Sequence, residues 1–134
     1  MDPSISSQLK KTPDEIDGVF QNLNPLNDAI ESVYKLHDSG KYDLFVATTA
    51  PWNNPSSFHD KRIWIENHFG NLFAKKMFIT HRKDQLIGKY LIDDRIANGA
   101  GDFKGELLHF GWNYELQCWN KFKDWDSILN KLLF

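Results

Sequence analysis

Three short groups of residues could share one chemistry. Thr48 and Thr49 end the apolar run "YDLFVATT". Lys83 lies three residues beyond Thr80, which ends "KMFIT". Asp93 and Asp94 end "YLIDD", with Arg95 following. Hydroxyls and backbone N–H groups hold phosphate oxygens, and an ammonium adds a point charge for the same group. Adjacent carboxylates at the mouth of an apolar segment repel each other and lose hydration, so something must compensate them. A magnesium ion would do so. It takes one or two carboxylates and completes its shell with waters and phosphate oxygens. The expected chemistry is therefore Mg²⁺ facing a phosphate. Each group also has a plain reading, as turn threonines, a solvated lysine and a capping Asp pair. Their order, each just past an apolar run, favours the chemical one.

The elements that must position these groups follow from periodicity. Asn24 is a good N-cap with Pro25 at the first helical position. Leu26, Ala29, Ile30, Val33 and Leu36 then recur at helical spacing, with Gly40 as the stop. "YDLFVATT" has strand length and no alternation, which suits a strand buried on both faces. Ser56 or Ser57 is expected to cap a second helix through "FHDKRIWIENHF", closed by Gly70. The strand "KMFIT", a short helical piece around "DQLIGK", and the strand "YLID" come next. A loop from Arg95 to Gly105 leads to the strand "ELLHF". Asp124 is a candidate cap for a last helix, with Trp125, Ile128, Leu129 and Leu132 on one face. Alternating helices and strands with short connections predict an α/β domain, a parallel sheet with flanking helices. In such sheets ligands sit beyond the carboxyl ends of the strands, where all three groups fall.

Composition bounds the rest. The chain has 134 residues, 41% hydrophobic and 25% charged, enough for one core. A net charge of −2 gives no reason to expect a nucleic-acid partner. Arg82, Lys83 and Arg95 are too few for a basic stripe. The single Cys118 excludes an internal disulfide and a cysteine-rich zinc site. No run of about 18 apolar residues predicts a membrane span, and "MDPSISSQLKK" lacks an apolar signal core. A soluble, cytoplasmic protein is expected.

The motifs together resemble the haloacid dehalogenase superfamily, and more narrowly the 5'(3')-deoxyribonucleotidases. The resemblance covers residues 17–134. It rests on "GVFQNLNPLNDAI", on "LFVATTAP" as the second motif, on "FITHRKD" as the third and on "YLIDDR" as the fourth. It implies a HAD-like (Rossmannoid) fold and a Mg²⁺-dependent phosphatase working through an aspartyl-phosphate. It also implies a phosphate monoester substrate, a (deoxy)nucleoside monophosphate. Thr48 would hold a phosphate oxygen with Thr49 beside it. Lys83 would bind phosphate and steady the nucleophile. Asp94 would be a metal ligand, with Asp93 a ligand or its support. Trp52, in the loop after Thr49, is a candidate substrate contact.

One departure is large. The first motif, "DxDG" after an opening hydrophobic strand, is not found. "DEIDGVF" at residues 14–20 is not accepted in its place, because "SSQLKKTP" before it makes no buried strand. The expectation is a family member lacking the opening strand and most of the cap, with residues 1–23 a leader and 24–134 the core domain. Such a chain would be inactive alone and inclined to self-association along the gap in its sheet. The alternative is a non-catalytic remnant that binds phosphate, metal or a partner protein. A response-regulator-like domain would need an acceptor Asp where "YDLFVATT" offers Thr. His37, His59, His68, His81 and His109 show no ligand spacing. Trp64, Trp119 and Trp125 are expected in the core.

Overall fold

The computed structural model describes residues 27–134. The expected leader, the "DEIDGVF" stretch, the Asn24–Pro25 helix start and Leu26 lie outside the described residues. Two compact units are present, one of Leu44–Ile79 and one of Asn27–Asp43 with Thr80–Phe134. Among the described residues no helix is long and apolar enough to cross a membrane.

The first unit is a β-α-β segment. Strand β1 (Val46–Thr48) pairs in parallel with β2 (Met77–Ile79), Val46 opposite Met77 and Thr48 opposite Ile79. The helix between them runs Pro55–Phe69, with Asn54 as N-cap residue and Pro55 in its first turn. The expected cap at Ser56 or Ser57 is therefore wrong by two residues or more. Proline fits the first turn because its missing N–H has no partner there in any helix. Ser57 is instead buried inside the helix, donating its hydroxyl to the Asn54 carbonyl at 2.7 Å. Gly70 closes the helix as expected. Its φ is +58°, and its N–H reaches the Glu66 carbonyl at 2.9 Å. The expected double burial of β1 is not seen. All three of its residues are half-buried. Phe45 and Phe78 lie exposed with ring centroids 5.9 Å apart.

The second unit carries two further helices and four strands. The helix Asn27–Asp38 is α1, the Pro55–Phe69 helix is α2, and Trp125–Leu133 is α3. Helices α1 and α3 pack together. Leu36 is buried on α1, and Ile128, Leu129 and Leu132 are buried on α3. The α3 start has both halves of a capping box. Asp124 accepts from the Ser127 N–H at 3.0 Å, and the Ser127 hydroxyl lies 3.3 Å from the Asp124 N–H. Asp124→Ala should cost about 1 kcal/mol in a denaturant melt. An unchanged midpoint would show that packing alone sets this helix start. At the other end, Tyr42 Oη donates to the Leu132 carbonyl at 2.6 Å and Lys41 Nζ to that of Leu133 at 3.1 Å. Both satisfy carbonyls that a helix terminus leaves open.

Strand β3 (Tyr90–Asp93) pairs in parallel with β4 (Glu106–His109), so Leu91 faces Leu107 in register and Asp93 faces His109. Leu108 is fully buried. Two short strands that the periodicity did not suggest follow. Strand β5 (Trp112–Asn113) pairs antiparallel with β6 (Cys118–Trp119). Trp112 and Trp119 meet edge to face at 5.0 Å. Trp119 is 51% exposed, so its expected core position is wrong. A hairpin presents it, where a helix face would have buried it. Mixed α/β structure with parallel pairing is found as expected, but α-helical alternation is confined to β1–α2–β2, and the expected single parallel sheet is not seen among the described residues. The described strands form two parallel pairs and one antiparallel pair.

Candidate active site

In the first unit, β1 delivers Thr48 to its carboxyl end. The Thr48 hydroxyl accepts a hydrogen bond from Lys61 Nζ at 3.0 Å. Lys61 was missed by sequence reading. Its helix starts at Pro55, so it sits in the second turn, and its long side chain returns to the strand end. Thr49 is half-buried. Trp52 is 78% exposed in the connection to α2, a position compatible with contact to a ligand.

In the second unit, the turn after β2 presents Lys83. The Arg82 N–H donates to Thr80 Oγ1 at 2.9 Å, and a short 3₁₀ turn spans Lys83–Gln85. Arg82 grips Asp84 with two hydrogen bonds, Nε to Oδ1 at 2.9 Å and Nη2 to Oδ2 at 2.7 Å. Gln85 adds a third at 3.0 Å. The Arg82 hydrogen bond, then that of Gln85, holds the Asp84 carboxyl well below the usual carboxylate range. The Lys83 N–H donates to the Asn98 carbonyl at 2.8 Å. Asn98 and Gly99 both have positive φ, +55° and +83°. At Gly99 a Cβ would collide with Asp84 Oδ1, and would lie 2.7 Å from the Asp84 nitrogen and 2.9 Å from that of Lys83. Gly99→Ala should therefore cost about 1–2 kcal/mol from its left-handed backbone alone. It should also shift the Lys83 and Asp84 amide resonances. A variant with parental spectra would show that this approach is not tight.

Lys83 and Asp93 answer the repulsion at "DDR". Lys83 Nζ donates to Asp93 Oδ2 at 2.6 Å, and the two side chains are only 10% and 9% exposed. Asp93 Oδ1 accepts from the Arg95 N–H at 3.0 Å. Both Asp93 oxygens thus have donors. Asp94 differs. It is exposed, and its carboxylate has no hydrogen bond or ion pair among the described residues. One carboxylate is buried and compensated, and its neighbour stays in water, so two like charges are never buried together.

The donor set fits magnesium. No group of three or more His, Cys, Asp or Glu side chains that could enclose a metal exists among the described residues. Mg²⁺ does not need one, since it keeps several waters and binds through one or two carboxylates plus phosphate oxygens. Asp94 is the carboxylate with open oxygens. The structure brings Lys83, Asp93 and Asp94 together in one unit, whereas Thr48, Thr49 and Trp52 belong to the other.

Comparison with known proteins agrees with the motifs. The family model "5' nucleotidase, deoxy (Pyrimidine), cytosolic type C protein" matches residues 1–133. A Vibrio phage KVP40 protein named "Putative 5'(3')-deoxyribonucleotidase" is 40% identical over 126 residues, covering 94% of this chain and 69% of its own length. A Staphylococcus epidermidis protein of the same name is 38% identical over 115 residues, 84% of this chain and 62% of its own. The human 5'(3')-deoxyribonucleotidase, cytosolic type, is 28% identical over 81 residues, 60% of this chain and 40% of its own. With a family model matched along nearly its whole length, and with second, third and fourth motifs in order, the chain belongs to the haloacid-dehalogenase-like family of 5'(3')-deoxyribonucleotidases.

Proposed function

We propose that this chain carries the phosphate- and magnesium-holding residues of a phosphomonoesterase that acts on (deoxy)nucleoside monophosphates in the cytoplasm. The observation that supports this most is the buried Lys83–Asp93 pair with the exposed, open Asp94 beside it. In this reading Asp94 is the direct metal ligand. Asp93 acts on Lys83, holding its ammonium where a phosphate oxygen can share it. Thr48 and Thr49, in the first unit, end a strand with hydroxyls of the kind that hold phosphate oxygens. Trp52 offers an exposed ring to the nucleoside. Bound Mg²⁺ would neutralise charge on the transferring phosphoryl group. An aspartate oxygen attacks phosphorus, the P–O bond to the nucleoside breaks, and the leaving oxygen takes a proton from a general acid. Water then cleaves the acyl phosphate and regenerates the carboxylate.

The 134 residues contain no "DxDG" sequence. That favours a second reading, in which this chain binds phosphate and metal without turnover. Assays of para-nitrophenyl phosphate and deoxyuridine monophosphate with Mg²⁺ at neutral pH separate the two. The chain by itself is expected to be inactive, since loss of a nucleophile removes several orders of magnitude in rate. Turnover that vanishes in Asp17→Asn would instead make "DEIDGVF" the nucleophile motif. Mg²⁺ should bind weakly, on the order of millimolar, because few ligands are dedicated to it. Binding should be lost in Asp94→Asn. Micromolar affinity, or affinity indifferent to that change, would contradict this ligand assignment.

A further inference from the structure

Asp94 carries an unused carboxylate on a main chain tied by three hydrogen bonds. The Phe110 N–H donates to the Asp93 carbonyl at 2.9 Å, continuing the β3–β4 pairing past the strand end. The Asp93 side chain accepts from the Arg95 N–H, closing a short turn around Asp94. The third tie comes from β4. His109 lies opposite Asp93 in the parallel register, and its Nε2 is 3.1 Å from the Asp94 carbonyl oxygen. A carbonyl oxygen only accepts, so Nε2 carries the hydrogen.

We propose that His109 is a positioning residue for Asp94, fixing the peptide from which the metal-binding carboxylate projects. The physical reason is preorganisation. Asp94 is exposed, and an exposed carboxylate on a free loop would lose much of its binding free energy to the cost of being ordered. Three hydrogen bonds around its peptide remove that cost before any ion arrives. The arrangement parallels the support that ligating carboxylates ordinarily receive from hydrogen-bonded neighbours, whose loss weakens metal binding by about 10–100-fold. Here the support acts on the ligand's main chain and leaves both carboxylate oxygens open. Nothing in residue spacing pointed to it, because His109 and Asp94 are fifteen residues apart and meet only through strand register.

The inference rests on the reading of Asp94 as metal ligand, so the experiment reads the two separately. Mn²⁺ serves as the probe, and paramagnetic broadening of the Arg95 amide reports its binding at pH 8. His109→Leu should weaken Mn²⁺ binding by about tenfold or more, while His109→Gln, whose amide can still donate, restores it. Equal Mn²⁺ affinity in the parent and His109→Leu, with Asp94→Asn abolishing binding, would overturn the positioning role and leave the ligand assignment standing. Broadening that survives in Asp94→Asn would overturn the ligand assignment, and the positioning role with it. The metal-free parent supplies a readout that does not depend on any variant folding. Long-range ¹H–¹⁵N spectra of the carbon-bound ring protons should show the His109 ring carrying its hydrogen on Nε2, the atom that donates to the Asp94 carbonyl. A ring carrying it on Nδ1 alone would overturn the inference.

Discussion

Asp93→Asn should destabilise the chain by about 3–5 kcal/mol, the cost of leaving one member of a buried ion pair uncompensated. The Lys83 ammonium would remain enclosed, with a neutral amide in place of its partner at 2.6 Å. Ordinary domains are stable by only about 5–15 kcal/mol, so such a loss would bring this one near its unfolding threshold. The expected result for the double variant is different. Lys83→Met with Asp93→Leu removes both charges, and replacing a whole buried pair with apolar residues is often neutral or stabilising by about 1–4 kcal/mol. Urea melts of the parent, Lys83→Met, Asp93→Leu and the double variant complete the cycle, with Asp93→Asn measured beside it. The pair would then prove costly to break and dispensable to stability, which is the pattern expected of residues retained for phosphate binding. A loss below about 1 kcal/mol in Asp93→Asn, the range of exposed pairs, would show that water reaches Lys83 and that the pair is not buried in solution. The exposed pair Lys35–Glu31, at 3.5 Å on α1, is the internal control and should contribute a few tenths of a kcal/mol at most.

Ile128→Ala is expected to cost about 2–5 kcal/mol, from lost transfer free energy and from the cavity left behind. Ile128 is fully buried, and it shares its helix face with Leu129 and Leu132. Helix α3 has only nine residues. Isolated helices shorter than about 12–15 residues are marginal in water, so its stability must come from packing on α1. The effect should therefore be cooperative across the two helices. Amide exchange in both α1 and α3 should accelerate together, although only α3 is altered. Asn130→Ala, exposed on the same helix, should stay within about 0.5 kcal/mol of the parent. Accelerated exchange confined to α3 would show that the two helices are not energetically linked.

Much of this architecture is written locally in the chain. Asp124 and Ser127 cap α3 because two polar side chains three residues apart reach each other's N–H groups within one turn. Gly70 ends α2 because few other residues adopt its positive φ without strain. Thr48, Lys83, Asp93 and Asp94 could be placed at strand ends because each follows an apolar run of strand length, and a strand's end is a local property. Where local signals compete, reading them in order was less safe. Asn54, Ser56 and Ser57 are all plausible caps, and Pro55 decided among them.

Contacts across the chain were not legible in this way. Nothing in the sequence says that Lys83 turns to Asp93 and leaves Asp94 open, or that Lys61 reaches Thr48 and His109 reaches Asp94. Those meetings depend on which strands pair and in what register, and a shift of one residue would turn each side chain to the opposite face. The Trp112–Trp119 hairpin escaped notice for the same reason, since each of its strands is two residues long and too short to show a period. Residue types and order along the chain were enough to indicate the family to which it belongs. The different surroundings of two adjacent aspartates, Asp93 buried and paired and Asp94 exposed, were decided by the fold, because burial and charge pairing are set by neighbours distant in sequence.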